Sequence, residues 1–197
     1  IMPTLNSEKF VCSALKSLLN QNFTDFELIV VDGGSVDNTL PLVKMFFQEA
    51  HIIKQVGTGI WDAINLGIVK SEGEIIHILN SDDLISSSTL QEVDVVFSEN
   101  NLIEALWIPT YSAAGYLYKV SEREIYKGMH KYAPGHSASF FVYKGIHDKF
   151  GLYDVSIKYC ADHHFYWKLL FNNVKSKCIN SRKTYGVFTF GGFSSTN

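Results

Sequence analysis

The chain has 197 residues, 46% of them hydrophobic and 19% charged, a balance typical of a soluble globular protein and not of a disordered chain. Its net charge of −3 and its two arginines, Arg123 and Arg182, provide no basic surface for nucleic acid. No apolar run reaches the ~18 residues of a membrane span. Three widely separated cysteines fit neither a disulfide framework nor a zinc ribbon, which indicates buried thiols in a reducing compartment.

The first hundred residues alternate predicted strands and helices. Apolar periodicity predicts helices at 8–20, 37–49, 61–69 and 86–98, and strands at 27–31, 51–56 and 75–79. The second helix has Pro41 in its first turn and Asp37 or Thr39 as its cap. This alternation predicts βαβ units and a largely parallel sheet.

The pattern changes after residue 100. Strands are expected at 106–108, 111–120, 139–143 and 185–190, a helix at 161–171, and an active-site loop at 121–135. Because no linker or repeat interrupts the chain, we predict a single domain over 1–197, with a nucleotide-binding first half at 1–100 and a mixed second half at 101–197. The first three residues have the character of a mid-strand segment and 191–195 do not have that of a natural stop, so we expect truncation at both ends.

An acidic pair, Asp82 and Asp83, follows the apolar run at 75–79, which has the character of a buried parallel strand. Open α/β sheets bind ligands at the carboxyl ends of their strands. Carboxylates there suit Mg²⁺ or Mn²⁺, which share their remaining coordination positions with substrate phosphates. The plainer alternative is a surface turn before a Ser-capped helix.

A second motif, Val-Val-Asp-Gly-Gly-Ser-Val-Asp at 30–37, joins a strand to a helix through a glycine-containing turn. Backbone N–H groups in such a turn can cradle a nucleotide. Asp32, at the strand tip, could accept hydrogen bonds from a base or a ribose. An ordinary turn with Asp37 as helix cap explains the same residues.

Several further residues have both a chemical and a structural interpretation. Asp162, in the first turn of the helix at 161–171, is either a base or a cap. His163 and His164 are adjacent and therefore do not share one helix face as a metal pair would. His136 could bind a diphosphate or an acceptor, and Trp61 could stack on a base or sugar, but either could equally be structural.

In their order along the chain these segments resemble the inverting glycosyltransferases of family 2, which have the GT-A fold. The opening Pro-Thr-Leu-Asn at 3–6 and the long stretch at 17–39, which contains the Val-Val-Asp-Gly-Gly-Ser motif, match the family. Gly-Ile-Trp-Asp-Ala-Ile-Asn-Leu-Gly at 59–67 and Leu-Asn-Ser-Asp-Asp at 79–83 resemble a bacterial branch that builds surface polysaccharides. Gly-His-Ser-Ala-Ser-Phe-Phe at 135–141 and Ala-Asp-His-His-Phe-Tyr at 161–166 match the acceptor half.

The resemblance implies an α/β fold with a Rossmann-like, mostly parallel sheet flanked by helices and a mixed acceptor-side half. It implies that Asp162 is the catalytic base and that Asp82 and Asp83 bind a divalent metal, Mg²⁺ or Mn²⁺. The residues implied in nucleotide-sugar binding are Thr4, Asp32, Gly33, Trp61, Asp62, Asn65, Asn80, Ser81, Asp82 and His136.

The implied reaction moves one sugar, with inversion, from a nucleotide-diphosphate sugar to a saccharide or lipid-linked acceptor in the cytoplasm. Attachment to the inner face of the membrane and a homodimer are left open. Gly33 stands where many members have a second Asp, which in some relatives reads the base, and Asn80 replaces the usual first Asp of the metal motif. A Gln-x-x-Arg-Trp motif of processive synthases is absent from the sequence, which favours transfer of a single sugar.

Two alternatives belong to other functional classes. Gly33 and Asn80 would also suit a catalytically inactive module that binds a nucleotide sugar. A nucleotidyltransferase that forms nucleotide sugars would need a glycine-rich loop with Arg and Lys to hold a triphosphate. The segment 5–16 offers only Lys9 and Lys16 for that purpose, so this alternative ranks last.

Overall fold

A computed structural model describes residues 1–112, 114–118, 136–179 and 181–189. In the first half, the strands are β1 (Met2–Thr4), β2 (Ile29–Asp32), β3 (His51–Lys54), β4 (Ile75–His77) and β5 (Leu84–Ile85). The helices between and after them are α1 (Val11–Leu19), α2 (Thr39–Phe46), α3 (Ile60–Lys70) and α4 (Thr89–Glu99).

The second half is richer in short strands. These are β6 (Ala105–Trp107), β7 (Thr110–Ser112), β8 (Leu117–Tyr118), β9 (Phe140–Tyr143), β10 (Ser176–Cys178) and β11 (Gly186–Phe188). A 3₁₀ turn, Ser137–Ser139, precedes β9, and the helices are α5 (Lys144–Phe150) and α6 (Ala161–Phe171).

The described strands form three sheets. The first is all parallel, in the order β1-β2-β3, and its register aligns Thr4 with Asp32 and Asp32 with Lys54. The second, β10-β6-β9-β4, is mixed, and the third has the order β5-β11-β7-β8. Two backbone hydrogen bonds link the first two sheets, from the amino group of Ile1 to the carbonyl oxygen of His77 and from the N–H of Leu79 to the carbonyl oxygen of Ile1.

The architecture agrees with the predicted α/β arrangement of a parallel first half and a mixed second half. The predicted buried parallel strand at 75–79 is wrong in one respect, because β4 ends at His77 and pairs antiparallel with β9. The parallel link to Ile1 lies just beyond it. In the strand expected at 111–120, residues 114–116 separate β7 from β8. Residues 113, 119 and 120 of that expected strand and the predicted active-site loop at 121–135 lie outside the described residues.

The core explains why these segments adopt their elements. All four residues of β2 are buried, as expected for a strand covered on both faces. Helix α1 buries a stripe at helical spacing, which consists of Val11, Ala14, Leu15 and Leu18. In the second half Trp107 packs edge-on against Tyr166 at 4.6 Å between ring centroids. Among the described residues, no helix is long and apolar enough to span a membrane.

We expect half-buried His77 and buried His147 to lower the stability of the protein as the pH falls below about 6.5, because both must stay neutral in the folded state. Burial lowers the pKa of His77 to about 3 and that of His147 to about 4. At these two sites the unfolded chain binds more protons than the folded one in the window down to those values, so their contribution to stability falls with pH. The raised carboxyl pKa values of Asp82, Asp83 and Asp162 contribute in the opposite direction. His77 alone would cost about 2 kcal/mol at pH 5.

Urea unfolding at pH 7.5 and pH 5 measures this loss. His147→Phe is the matched variant, since Phe can retain the stacking of His147 on Phe165, with 4.6 Å between centroids, but cannot be protonated. The free energy of unfolding should depend less on pH in His147→Phe than in the original protein. Equal pH dependence in the two proteins would contradict the prediction.

We expect Gly186→Ala to destabilise the protein by about 1–3 kcal/mol, as overpacking does. A Cβ atom on Gly186 would lie 2.7 Å from the backbone carbonyl oxygen of Ala138, and this oxygen cannot rotate away as a flexible side chain could. Thermal unfolding measures the effect, with Gly145→Ala as the control. A Cβ on Gly145 meets nothing within 4 Å, so an equal loss of stability in both variants would contradict the steric explanation.

Candidate active site

The carboxyl ends of β1 and β2 meet at one edge of the parallel sheet. Thr4 and Asp32 are aligned there, and the N–H of Gly33 donates to the carbonyl oxygen of Thr4 at 2.8 Å. Thr4 Oγ1 is buried and has no hydrogen-bond partner among the described residues. An unpaired buried hydroxyl costs free energy, so this edge offers a ligand an unused polar atom.

Asp32 uses its carboxylate within its own turn. It accepts hydrogen bonds from the N–H of Gly34 at 3.0 Å and from the Ser35 hydroxyl at 2.5 Å. The N–H of Ser35 also lies 3.0 Å from Asp32 Oδ2. These bonds shape the turn in which Gly34 has a φ of +101°, a conformation that glycine adopts easily. A direct contact between Asp32 and a nucleoside remains a prediction.

Gln55, which the sequence patterns did not single out, lies beside Gly33. A Cβ on Gly33 would lie 3.1 Å from Gln55 Oε1. Gln55 Nε2 donates to the carbonyl oxygen of Gly59 at 2.8 Å, which orients the amide. The available signal was its position, because Gln55 directly follows β3 at the same sheet edge as Asp32.

The segment that follows β4 places the acidic pair beside this edge. Asn80 Nδ2 donates to Asp83 Oδ2 at 2.9 Å and to Ser137 Oγ at 3.2 Å. The Ser81 hydroxyl donates to Ser7 Oγ at 2.8 Å, which connects the segment to the loop after β1. Asn80 therefore neutralises part of the Asp83 charge by hydrogen bonding.

The two carboxyls of the pair have different environments. Asp83 is 1% exposed, and burial, with the Asp82 charge as a second cause, raises the pKa of its carboxyl well above the usual range. Burial also raises the pKa of Asp82, which is less enclosed. Both shifts mean that the pair would gain from a nearby positive charge.

The pair fits a divalent cation only when other ligands take part. Among the described residues, no group of three or more His, Cys, Asp or Glu side chains is arranged to hold a metal ion. Mg²⁺ commonly binds through one or two carboxylates and completes its octahedral shell with water and substrate phosphates. Asp82 and Asp83 suit that manner of binding and not a metal site made by protein ligands alone.

His136 lies against Asp83. Its Nδ1 is 3.3 Å from Asp83 Oδ2, and its ring stacks on Phe188 with 5.0 Å between centroids. The distance is that of a salt bridge, but burial, with the electrostatic effect of His163 as a second cause, lowers the pKa of His136 to about 4. His136 is therefore neutral at pH 7, and we interpret the contact as polar and not as an ion pair.

Asp162 approaches the same region from helix α6. Cys160 has a φ of +60° and turns the chain into this helix, and the N–H of His163 donates to Asp162 Oδ1 at 2.8 Å. Burial raises the pKa of Asp162, and His163 opposes the shift. His163 therefore influences the pKa of both Asp162 and His136.

The three residues of α3 that were predicted to contact the nucleotide sugar, Trp61, Asp62 and Asn65, each make a hydrogen bond within the protein. Asp62 accepts a hydrogen bond from the N–H of Gly59 at 2.9 Å and so caps the helix. Trp61 Nε1 donates to the carbonyl oxygen of Lys158, and Asn65 binds the backbone of Tyr153. These contacts give all three side chains a structural role, and their binding of the donor stays a prediction.

The sequence matches a known family over most of its length. The sequence model described as Glycosyl transferase family 2 matches residues 1–159. The chain belongs to glycosyl transferase family 2. The resemblance drawn from the motifs is therefore confirmed, and the site described above lies partly within the matched region and partly, at Asp162, just beyond it.

Characterised and uncharacterised bacterial relatives match about half of the chain. The poly(ribitol-phosphate) beta-N-acetylglucosaminyltransferase TarS of Staphylococcus aureus is 35% identical over 107 residues, which are 51% of this chain and 19% of TarS. An uncharacterized glycosyltransferase of Haemophilus influenzae is 31% identical over 107 residues, 52% of this chain and 43% of its own. A PGL/p-HBAD biosynthesis glycosyltransferase of Mycobacterium tuberculosis is 34% identical over 105 residues, 51% of this chain and 41% of its own. The matched part is thus less than half of each relative.

Solved structures support the fold over nearly the whole chain. The crystal structure of S. aureus TarS 1-349 in complex with UDP superposes with a TM-score of 0.79 at 25% identity, and the match covers 96% of this chain and 59% of that one. TarS 1-349 in complex with UDP-GlcNAc gives a TM-score of 0.76 at 24% identity, over 95% of this chain and 57% of that one. The predicted glycosyltransferase fold, of the GT-A type, is confirmed.

Proposed function

We propose that the protein transfers one sugar from a nucleotide-diphosphate sugar to a saccharide or lipid-linked acceptor, with metal assistance and inversion of the anomeric carbon. The observation that carries the proposal is the acidic pair Asp82 and Asp83, whose segment is joined to the loop after β1 by the hydrogen bond from the Ser81 hydroxyl to Ser7 Oγ. The pair suits a metal-bound diphosphate, and Asp162, in the first turn of α6, is a separate carboxyl available as a base.

The donor would occupy the edge formed by β1, β2 and the segment after β4. Its nucleoside would lie near the unpaired Thr4 hydroxyl and the exposed backbone at Gly33. Its diphosphate would lie near Asp82, whose side chain is the more accessible of the pair. Asp32, Asn80, Ser81 and His136 would shape this site. A bound Mg²⁺ or Mn²⁺, held by Asp82 and Asp83, would supply Lewis-acid stabilisation of the diphosphate leaving group.

Asp162 is proposed to act as the general base in a single displacement. Its carboxylate takes the proton of the acceptor hydroxyl as that oxygen bonds to the anomeric carbon. The bond from the anomeric carbon to the diphosphate oxygen breaks, and its electron pair leaves with the nucleoside diphosphate. Attack from the opposite face inverts the anomeric configuration, and Asp162 then releases its proton to solvent.

The relatives suggest a class of donor and a cellular role. TarS has been crystallised with UDP and with UDP-GlcNAc, so we propose a UDP-sugar donor for this chain. By their names, TarS acts on poly(ribitol-phosphate) and the mycobacterial glycosyltransferase takes part in PGL/p-HBAD biosynthesis. We propose a corresponding role in surface polysaccharide synthesis, in the cytoplasm at the inner face of the membrane.

A non-catalytic nucleotide-sugar-binding module is the second candidate. It is favoured by Asp83, which is buried and already bound by Asn80 and in contact with His136. Such a module would bind the donor without transferring or hydrolysing it. Turnover of the donor therefore separates the two candidates.

The proposed function is tested by thermal unfolding with a panel of nucleoside diphosphates and nucleotide sugars, each with and without Mn²⁺. A ligand that binds only the folded state raises the free energy of unfolding, by about 2.7 kcal/mol when its concentration is a hundred times its Kd. The unfolding temperature rises as a result. We expect a Mn²⁺-dependent increase with UDP and a UDP-sugar, followed by release of UDP on incubation. A folded protein that responds to no nucleotide would contradict the proposal, and binding without UDP release would favour the module.

Gln55 is expected to contribute to selection of the base. Its Oε1 accepts no hydrogen bond from the described residues, and it could accept one from the imide N–H of uracil. Gln55→Leu should weaken UDP binding by about tenfold, which corresponds to one lost hydrogen bond of about 1.4 kcal/mol. Calorimetric titration with UDP and CDP measures this, with Val56→Ala as the control because Val56 is 76% exposed. Unchanged UDP affinity in Gln55→Leu would remove Gln55 from the base site.

A further inference from the structure

Helix α3 holds the segment 151–160, which leads into α6. Asn65 Nδ2 donates to the carbonyl oxygen of Tyr153 at 2.8 Å, and the N–H of Tyr153 donates to Asn65 Oδ1 at 3.0 Å. Trp61 Nε1 donates to the carbonyl oxygen of Lys158 at 3.2 Å. Helix α3, in the nucleotide-binding half at 1–100, thus holds the backbone that precedes Asp162 at two points, Tyr153 and Lys158.

Tyr153 extends this connection to Asp162 itself. Its ring packs against Trp61 at 5.3 Å and against Phe165, one turn into α6, at 5.0 Å between centroids. The side chain is 3% exposed, and its hydroxyl has no hydrogen-bond partner among the described residues. After burial itself, the Asp162 charge is the second cause that raises the pKa of the Tyr153 phenol, which agrees with the packing of the Tyr153 ring on α6 through Phe165.

We propose that Asn65 and Trp61 are positioning residues for Asp162. They hold the backbone and the ring of Tyr153, and Tyr153 fixes the first turn of α6 so that the Asp162 carboxylate faces the acceptor hydroxyl. The proposal rests on the proposed function for the role of Asp162 as base. A general base displaced by about 1 Å can lose about a hundredfold in rate, so a clamp remote from the chemistry can have a large effect on turnover.

The competing assignment is that Asn65 and Trp61 contact the donor directly. The Asn65 side chain already donates one hydrogen bond to the backbone of Tyr153 and accepts another from it. The side-chain N–H of Trp61 is likewise already hydrogen-bonded, to Lys158. The two assignments predict different kinetics. A donor contact would lower donor affinity, whereas a positioning residue would lower the rate of turnover and leave donor affinity unchanged.

Two variants and one control test the proposal. Asn65→Leu keeps a side chain of similar size and removes both hydrogen bonds to Tyr153. Trp61→Phe keeps an aromatic ring and removes the hydrogen bond to the backbone of Lys158. Val69→Ala is the control, because it changes a residue of α3 whose side chain is 59% exposed. Three quantities are measured: the Kd for UDP with Mn²⁺, the rate of UDP release from UDP-GlcNAc with water as acceptor, and hydrogen exchange of the amides in 151–162.

For Asn65→Leu we expect a UDP Kd within about twofold of the original, UDP release slower by at least about tenfold, and faster exchange in 151–162. Trp61→Phe should show the same pattern with smaller changes, and it decides the matter if Asn65→Leu does not fold. Val69→Ala should behave like the original protein in all three measurements.

Two results would overturn the inference: a UDP affinity that falls in step with the rate, or exchange in 151–162 that does not change in Asn65→Leu or Trp61→Phe. If the original protein neither binds UDP nor releases it from UDP-GlcNAc, the proposed UDP-sugar transferase fails on its own. Hydrogen exchange then still decides whether α3 clamps the segment, because that measurement needs no turnover.

Discussion

Asp162→Asn is expected to lower the rate of sugar transfer by about 10²–10⁴-fold, the usual contribution of a general base. The amide of Asn has nearly the shape of the carboxylate. Its oxygen can still accept the hydrogen bond that the backbone N–H of His163 donates to Asp162 Oδ1 at 2.8 Å in the original protein. It cannot take a proton from the acceptor hydroxyl. UDP release from the donor in the presence of acceptor, or of water, measures the loss.

The matched control is Asp154→Asn in the segment that leads to α6. Asp154 is exposed, and its carboxylate accepts hydrogen bonds from the N–H and hydroxyl of Ser156. This variant should retain the original rate, and both variants should bind UDP with unchanged affinity. Full activity in Asp162→Asn would exclude Asp162 as the base, whereas loss of UDP binding would indicate a structural defect.

The pH dependence of the same reaction gives an independent check. Burial raises the pKa of Asp162 above its ordinary value of 3.8. The base works only when deprotonated, so turnover should decline as the pH falls through this raised pKa. The acidic limb of the kcat profile should therefore lie at higher pH than an ordinary carboxylate would give, and it should be absent from the residual activity of Asp162→Asn.

Local sequence patterns predicted helices better than they predicted strand pairing. The helix predicted at 161–171 has those bounds in the structure, and α1 lies inside the predicted 8–20, because apolar spacing is a property of neighbouring residues. The seven residues of α5 and the two of β5 are too short for such a signal. The antiparallel pairing of β4 with β9 joins residues more than sixty positions apart, which no local pattern encodes.

In the candidate site, too, the sequence predicted which residues are present better than it predicted their contacts. Sequence motifs selected Thr4 and Asp32 as candidates, and the register of β1 and β2 brings the two together. The rule that ligands bind at the carboxyl ends of strands pointed only to Asp82 and Asp83. It could not show that Asp32 binds its own turn, or that Asn65 binds the backbone of Tyr153, 88 residues away. Motif matching selects residues by type, but the partner of each polar side chain depends on contacts between distant segments.

Asn80→Asp is expected to destabilise the metal-free protein by about 2–4 kcal/mol, because it exchanges a hydrogen bond to a buried carboxyl for a second carboxyl at the same distance. Asn80 Nδ2 lies 2.9 Å from Asp83 Oδ2, and Asp83 is 1% exposed. The unfolding temperature should fall by roughly 4–16 °C in a chain of this size. Thermal unfolding in the presence of a chelator measures the fall.

Added Mn²⁺ should reverse much of this loss, because a divalent cation bound between the carboxyls stabilises only the folded state. Asn80→Ala is the control: it removes the hydrogen bond without adding charge, so it should be destabilised as well but should gain no more from Mn²⁺ than the original protein does. If Asn80→Asp unfolds at the original temperature without metal, the amide of Asn80 is not what stabilises Asp83. If Mn²⁺ has no effect on Asn80→Asp, either alone or together with UDP, the pair at 82 and 83 is not a metal site. The amide thus permits a buried carboxyl to persist in the absence of a cation. We expect that Asn80, in the place of the usual Asp of the motif, makes metal binding by the original protein depend more on the donor diphosphate.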